Sequence, residues 1–76
     1  MTDTLRISLA QFNPTVGDVA GNADLVRKAC KQAAADKADL VMLSELFLCG
    51  YPPEDLVLKP AFQQACRAAA EQLAAE

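Results

Sequence analysis

The 76-residue sequence has no histidine and no tryptophan, and only three cysteines, three glycines and one tyrosine. Each scarcity excludes something. Without histidine there is no Cys-His or Ser-His pair to activate a nucleophile. Cys30, Cys49 and Cys66 are odd in number and widely spaced, with no Cys-x-x-Cys among them. A structural zinc site needs four ligands at short spacings, and a secreted disulfide framework needs paired cysteines. The thiols therefore read as reduced residues of an intracellular protein. Gly17 and Gly21 form neither a Gly-x-Gly-x-x-Gly turn nor a Gly-Lys-Ser/Thr phosphate loop.

Long hydrophobic runs are missing too. The apolar stretches are far too short to span a bilayer. Met1-Thr2-Asp3-Thr4 lacks the basic start and apolar run of a signal peptide. Net charge is -3, with acids and bases interspersed, so neither a nucleic-acid patch nor a solvating acidic tail is present. The expectation is a cytoplasmic α/β segment with no membrane and no nucleic-acid partner. The chain is also short. A core of this size rarely supplies more than ~3–5 kcal/mol of net stability.

What is present is a βαβ pattern followed by a further helix. Leu5 to Phe12 reads as a strand, with Leu5, Ile7 and Leu9 on one face and Arg6, Ser8 and Ala10 on the other. Asn13-Pro14 breaks it, and Gly17-Asp18 continues the loop. Gly21-Asn22 opens a helix with Asn22 as a plausible N-cap. Leu25, Val26, Ala29, Cys30, Ala33 and Ala34 make its apolar face, and it ends near Asp36-Lys37. Asp39 to Glu45 reads as a second strand. Its continuous Leu40-Val41-Met42-Leu43 suits a strand of a parallel sheet buried on both faces. Pro52-Pro53 excludes a central strand, and Pro53-Glu54-Asp55 reads as the first turn of a short helix. A last helix runs from about Pro60, with Phe62, Ala65, Cys66, Ala69 and Leu73 as its apolar stripe. Two parallel strands do not stand alone as a sheet, so the pattern predicts further partners from the same chain or another.

Ligands of open α/β sheets bind beyond the carboxyl ends of the strands. Gln11 and Asn13 lie there after the first strand, and Ser44-Glu45 after the second. Glu45 sits between Leu40–Leu43 and Leu46-Phe47-Leu48. A carboxylate flanked by apolar residues is expected to be partly desolvated, which raises its pKa and suits a general base. It could equally cap a loop or pair with a lysine. Tyr51 could meet a ligand through its hydroxyl or simply pack in the turn. Cys49 reads as a small buried residue rather than a nucleophile, and Cys30 and Cys66 as apolar-face residues of their helices.

Two motifs go beyond generic patterning. Ala10-Gln11-Phe12-Asn13-Pro14-Thr15-Val16-Gly17-Asp18 resembles the first strand and loop of the carbon–nitrogen hydrolases, the nitrilase superfamily. Ser44-Glu45-Leu46 with Gly50-Tyr51 resembles the glutamate motif of that family, although Ser44 stands where a proline is common. Gly50-Tyr51-Pro52-Pro53-Glu54-Asp55-Leu56 is narrower. With the Asn13–Asp18 segment it is similar to glutaminase domains that feed ammonia to a synthetase domain.

The resemblance covers essentially the whole chain. It implies one domain piece, residues 1–76, forming the start of a four-layer α-β-β-α sandwich that is incomplete here. It implies a Glu-Lys-Cys triad with Glu45 as general base and Tyr51 beside the glutamine pocket. The lysine and the nucleophilic cysteine would lie elsewhere. None of Lys28, Lys31, Lys37 or Lys59, and none of Cys30, Cys49 or Cys66, occupies their motifs. The chain alone is therefore expected to be inactive. In the complete enzyme, ATP and Mg2+ would serve the synthetase domain, which amidates nicotinic acid adenine dinucleotide. The remainder of the same enzyme would be the partner, and the whole would assemble as a homo-oligomer. The competing expectations are a piece of a free-standing amidase, or a non-catalytic truncated product or interaction module.

Overall fold

The computed structural model describes residues 3–76; Met1 and Thr2, half of the segment weighed against a signal peptide, lie outside them. The element order is β1 (Ile7–Leu9), α1 (Val19–Ala35), β2 (Leu40–Met42), a 3-10 turn (Glu54–Leu58) and α2 (Pro60–Ala75). The strands pair in parallel, Ile7 with Leu40, Ser8 with Val41 and Leu9 with Met42. The expected βαβ unit and final helix are thus present.

Both strands are shorter than the sequence suggests. Their ladder ends with the Ala10 N–H donating to Met42 O at 2.9 Å. At the other end, Asp39 accepts the Arg6 N–H through its carboxylate at 3.0 Å. Extended geometry continues only where a neighbouring strand supplies partners, and each strand here has a single neighbour.

Helix α1 begins four residues earlier than expected because Asp18, not Asn22, is its N-cap. The Asp18 carboxylate accepts the Gly21 N–H at 3.0 Å, and its carbonyl accepts the Asn22 N–H at 2.9 Å. An Asp at this position satisfies donors that the helix leaves orphaned. Asn22, Ala23, Val26, Ala29 and Ala33 are the buried stripe. Cys30 is exposed, against expectation, since it lies about one residue's rotation (about 100°) off that stripe. The helix ends in a two-bond cap. Lys37 N–H donates to Ala34 O at 3.1 Å and Ala38 N–H to Ala33 O at 2.9 Å, with Lys37 at φ 60. This is the Schellman arrangement, usually built on glycine.

Pro60 occupies the first turn of α2, where its missing N–H costs nothing. Phe62, Cys66, Ala69 and Leu73 are half-buried along it, while Ala65 is exposed. No residue of α2 is fully buried. Arg27 of α1 reaches the Glu76 carboxylate at 2.9 Å and Asp24 at 2.8 Å. That hydrogen-bonded pair holds the Glu76 carboxyl below its usual range. No helix among the described residues is long and apolar enough to cross a membrane.

The sheet has one covered face and one bare face. Ser8, Ala10, Val41 and Leu43 are half-buried, the face that α1 covers. Leu9 is 67% exposed, and Ile7, Leu40 and Met42 are each nearly half exposed. The strand expected to be buried on both faces is therefore half open within this chain. The Cα radius of gyration is 13.9 Å, against about 11.4 Å for a compact domain of this length. The geometry is that of an α/β layer still lacking a cover on its apolar side.

Candidate functional site

Two loops leave the carboxyl ends of the strands and lock together. The first runs from Gln11 to Asp18 and the second from Leu43 to Pro53. Gly17 N–H donates to Cys49 O at 2.9 Å. Gly50, at φ 81, lies so close to the first loop that a Cβ there would stand 2.5 Å from Val16 Cα. Only glycine meets both conditions, left-handed backbone and near-contact of two main chains. Under the loops, Phe47 is 5% exposed and tilts against Phe12 with ring centroids 6.5 Å apart. That apolar base fixes where the second loop starts, and Leu46, at φ 54, turns the chain immediately after Glu45.

These constraints open a cleft of about 280 Å³ lined by Phe12, Asn13, Pro14, Ser44, Glu45 and Tyr51. The structure therefore brings together Asn13, Ser44, Glu45 and Tyr51, residues the sequence singled out in three separate segments. Gln11 is not among them. It borders the neighbouring hollows along Leu9, Ala10 and Phe12. Glu45 is exposed, so these residues alone do not desolvate it as expected. Among the described residues the ion pairs are Arg27 with Asp24 and Glu76, and Arg67 with Glu71. Glu45 takes part in none of them. Tyr51 is 63% exposed and lines the cleft.

The cysteines stay out of this cleft. Cys49 is half-buried, rather than buried, and its thiol donates to Leu46 O at 3.3 Å. Burial, together with the neighbouring Cys49 sulfur, pushes the Cys66 thiol up. A nucleophilic cysteine needs the opposite shift. Among the described residues, no cluster of three or more Cys, Asp or Glu converges as a metal site would require.

By sequence pattern Asn22 is a helix cap; in the structure it ties the two loops of the cleft instead. It is 1% exposed and bonds both loops, accepting from Thr15 N–H and donating to Thr15 O and Leu48 O. The sequence signal is partial: Asp18, three residues before Gly21, offers a second cap and so leaves Asn22 open to another task.

A parallel α/β layer with a carboxylate cleft at the strands' carboxyl ends narrows the class, and sequence comparison fixes it: the chain belongs to the carbon–nitrogen hydrolase family, whose family model (Carbon-nitrogen hydrolase) matches residues 6–76. Among individual proteins, it is 54% identical over 76 residues to the glutamine-dependent NAD(+) synthetase of Rhodobacter capsulatus, covering 100% of this chain and 14% of that protein. It is 49% identical to the enzyme of that name from Xylella fastidiosa, over 99% of the chain and 14% of the relative. The Synechocystis protein of the same name is 55% identical over 56 residues, 74% of the chain and 10% of the relative. The chain thus spans about one-seventh of the length of the first two relatives.

Proposed function

We propose that this chain is part of the glutaminase domain of a glutamine-dependent NAD+ synthetase, with Glu45 as its general base. The observation that carries the reading is the cleft itself, which gathers Asn13, Ser44, Glu45 and Tyr51 where two strands of the sheet end. The relatives' shared name favours this over a free-standing amidase or an interaction module.

In this reading Glu45 takes the proton of a cysteine thiol supplied by a later segment. The thiolate attacks the side-chain amide carbon of glutamine, and a lysine, also supplied later, steadies the oxyanion. As the carbon–nitrogen bond breaks, protonated Glu45 returns its proton to the departing amine, releasing ammonia. Glu45 then deprotonates a water molecule that hydrolyses the thioester to glutamate. Exposure of Glu45 in this chain fits a residue whose remaining walls come from the rest of the domain. Tyr51, at the cleft wall, is the substrate-side residue of the scheme.

ATP and Mg2+ would serve the ammonia-using step on residues outside this chain. The complete sandwich would be four-layered, cytoplasmic and homo-oligomeric. The 76 residues alone would turn over no glutamine.

The test exchanges the matching segment of the Rhodobacter capsulatus relative for this chain. The exchanged enzyme is expected to make NAD+ with either glutamine or added ammonia. Glu45→Gln should then lower the glutamine-supported rate by ~10²–10⁴-fold, the range of general acid–base contributions, and leave the ammonia-supported rate intact. Glutamine-supported synthesis unaffected by Glu45→Gln would overturn the proposal.

A further inference from the structure

The structure assigns Asn22 as a positioning residue, which sets the place of Glu45 by tying its loop to the loop after β1; this rests on the reading of Glu45 as the base. Asn22 is the buried polar residue of the described core. Its Oδ1 accepts the Thr15 N–H at 2.9 Å. Its Nδ2 donates to Thr15 O at 2.8 Å and to Leu48 O at 3.0 Å. The partners settle which end is which. One main-chain N–H requires the oxygen, and two carbonyls require the two amide hydrogens.

The geometry makes the carboxamide a clamp. Towards Thr15 it presents a donor and an acceptor side by side, as a neighbouring strand would. The remaining hydrogen reaches across to Leu48, three residues beyond Glu45 in the same turn. Asn13 and Pro14 therefore hold one cleft wall on the near side of the clamp, with Ser44, Glu45 and Tyr51 on the far side. A buried polar side chain with every partner in place specifies one arrangement of its neighbours. Two further ties run parallel to it, Gly17 N–H to Cys49 O and Gly50 against Val16. Loss of the Asn22 clamp should thus displace the second loop rather than release it.

Asn22→Asp keeps the shape of the side chain and removes both donors, setting a carboxylate against Thr15 O and Leu48 O. A displacement near 1 Å at a catalytic group costs ~10²-fold in rate. In the exchanged enzyme, Asn22→Asp is therefore expected to lower kcat for glutamine by at least ~10-fold. Ammonia-supported synthesis should stay near its starting value. A purely structural role would instead lower the amount of folded enzyme and both activities together.

The deciding measurement repeats Asn22→Asp in a Glu45→Asp background, which retains a carboxylate and is expected to keep a rate above that of Glu45→Gln. If Asn22 acts through Glu45, its effect there shrinks by more than ~3-fold, beyond the about 2-fold scatter of independent sites. Equal losses in both backgrounds, or no loss of kcat in the first, would overturn the assignment while leaving Glu45 as base. An enzyme indifferent to Glu45→Gln would remove both. Should Asn22→Asp fail to fold, Asn22→Ser carries the same cycle, since it keeps an acceptor and gives up the reach to Leu48.

Discussion

The loop side and the open face of the sheet are built to different degrees of completion. At the carboxyl ends of the strands, the loops close over Phe47 and Asn22, and no buried side-chain polar atom among the described residues lacks a partner. On the other face, Ile7, Leu9, Leu40 and Met42 stand open. The tie between the loops is complete because its partners lie within about 35 residues, from Thr15 to Gly50. Hydrogen-bonding groups cannot wait for a distant segment, since each unpaired buried one costs ~1–3 kcal/mol. The apolar face can wait, because exposed hydrocarbon carries only a solvation cost until a cover arrives. The contrast teaches that this chain encodes the local geometry of its candidate site before it encodes a closed core.

The largest effect should come from charging the open face. Met42→Lys changes little in the isolated chain, where the side chain already meets water; stability should move within about 0.5 kcal/mol and solubility should improve. In the exchanged enzyme the same ammonium would be trapped between layers, at a cost of several kcal/mol. Size-exclusion chromatography and NAD+ synthesis should therefore show a better-behaved fragment and a ruined enzyme. An enzyme that tolerates Met42→Lys would mean that this face is not covered, which breaks the comparison.

Gly50→Ala attacks the finished side. The added methyl would strike Val16 Cα, a main-chain atom with little freedom to yield, at a φ of 81 that L residues rarely adopt. Strain of both kinds is expected to cost more than ~2 kcal/mol. In the exchanged enzyme it should show as loss of glutamine-supported synthesis at lower urea concentration. An unchanged urea profile would mean that the loops are less tightly locked than the geometry states.

Much of this was legible in the sequence, and the parts that were not share a cause. The order of elements, the turn at Pro53 and the helix from Pro60 follow from period and proline chemistry alone. The cleft residues Asn13, Ser44, Glu45 and Tyr51 follow from strand ends and motif likeness. Strand lengths did not follow, because extended geometry depends on neighbours that pattern does not count. The exposure of Glu45 did not follow either, since flanking leucines predict desolvation only when their layer is closed. The place of Asn22 did not follow, because Asp18 and Asn22 both favour helix starts by propensity, and only the Gly21 N–H contact decides between them. The buried duty of Asn22 depends on Leu48, distant in sequence, which no local pattern reports.

The smallest effect sits at the far end of α1, and it separates incidental strain from strain beside the site. Lys37 holds φ 60 to cap the helix, while Leu46 holds φ 54 directly after Glu45. Lys37→Gly removes a left-handed cost of ~1–2 kcal/mol but gives the unfolded chain more freedom, offsetting ~0.5–1 kcal/mol. The net gain should be about 0.5–1 kcal/mol, confined to the helix end. The capping N–H of Ala38, which donates to Ala33 O, reports it directly. Its hydrogen exchange should slow by ~2–5-fold where exchange proceeds through local opening, and glutamine-supported synthesis should not change. Lys37→Ala keeps the left-handed cost and should give no gain. Equal slowing in both variants would show that the lysine side chain, rather than its backbone, is what weakens this cap.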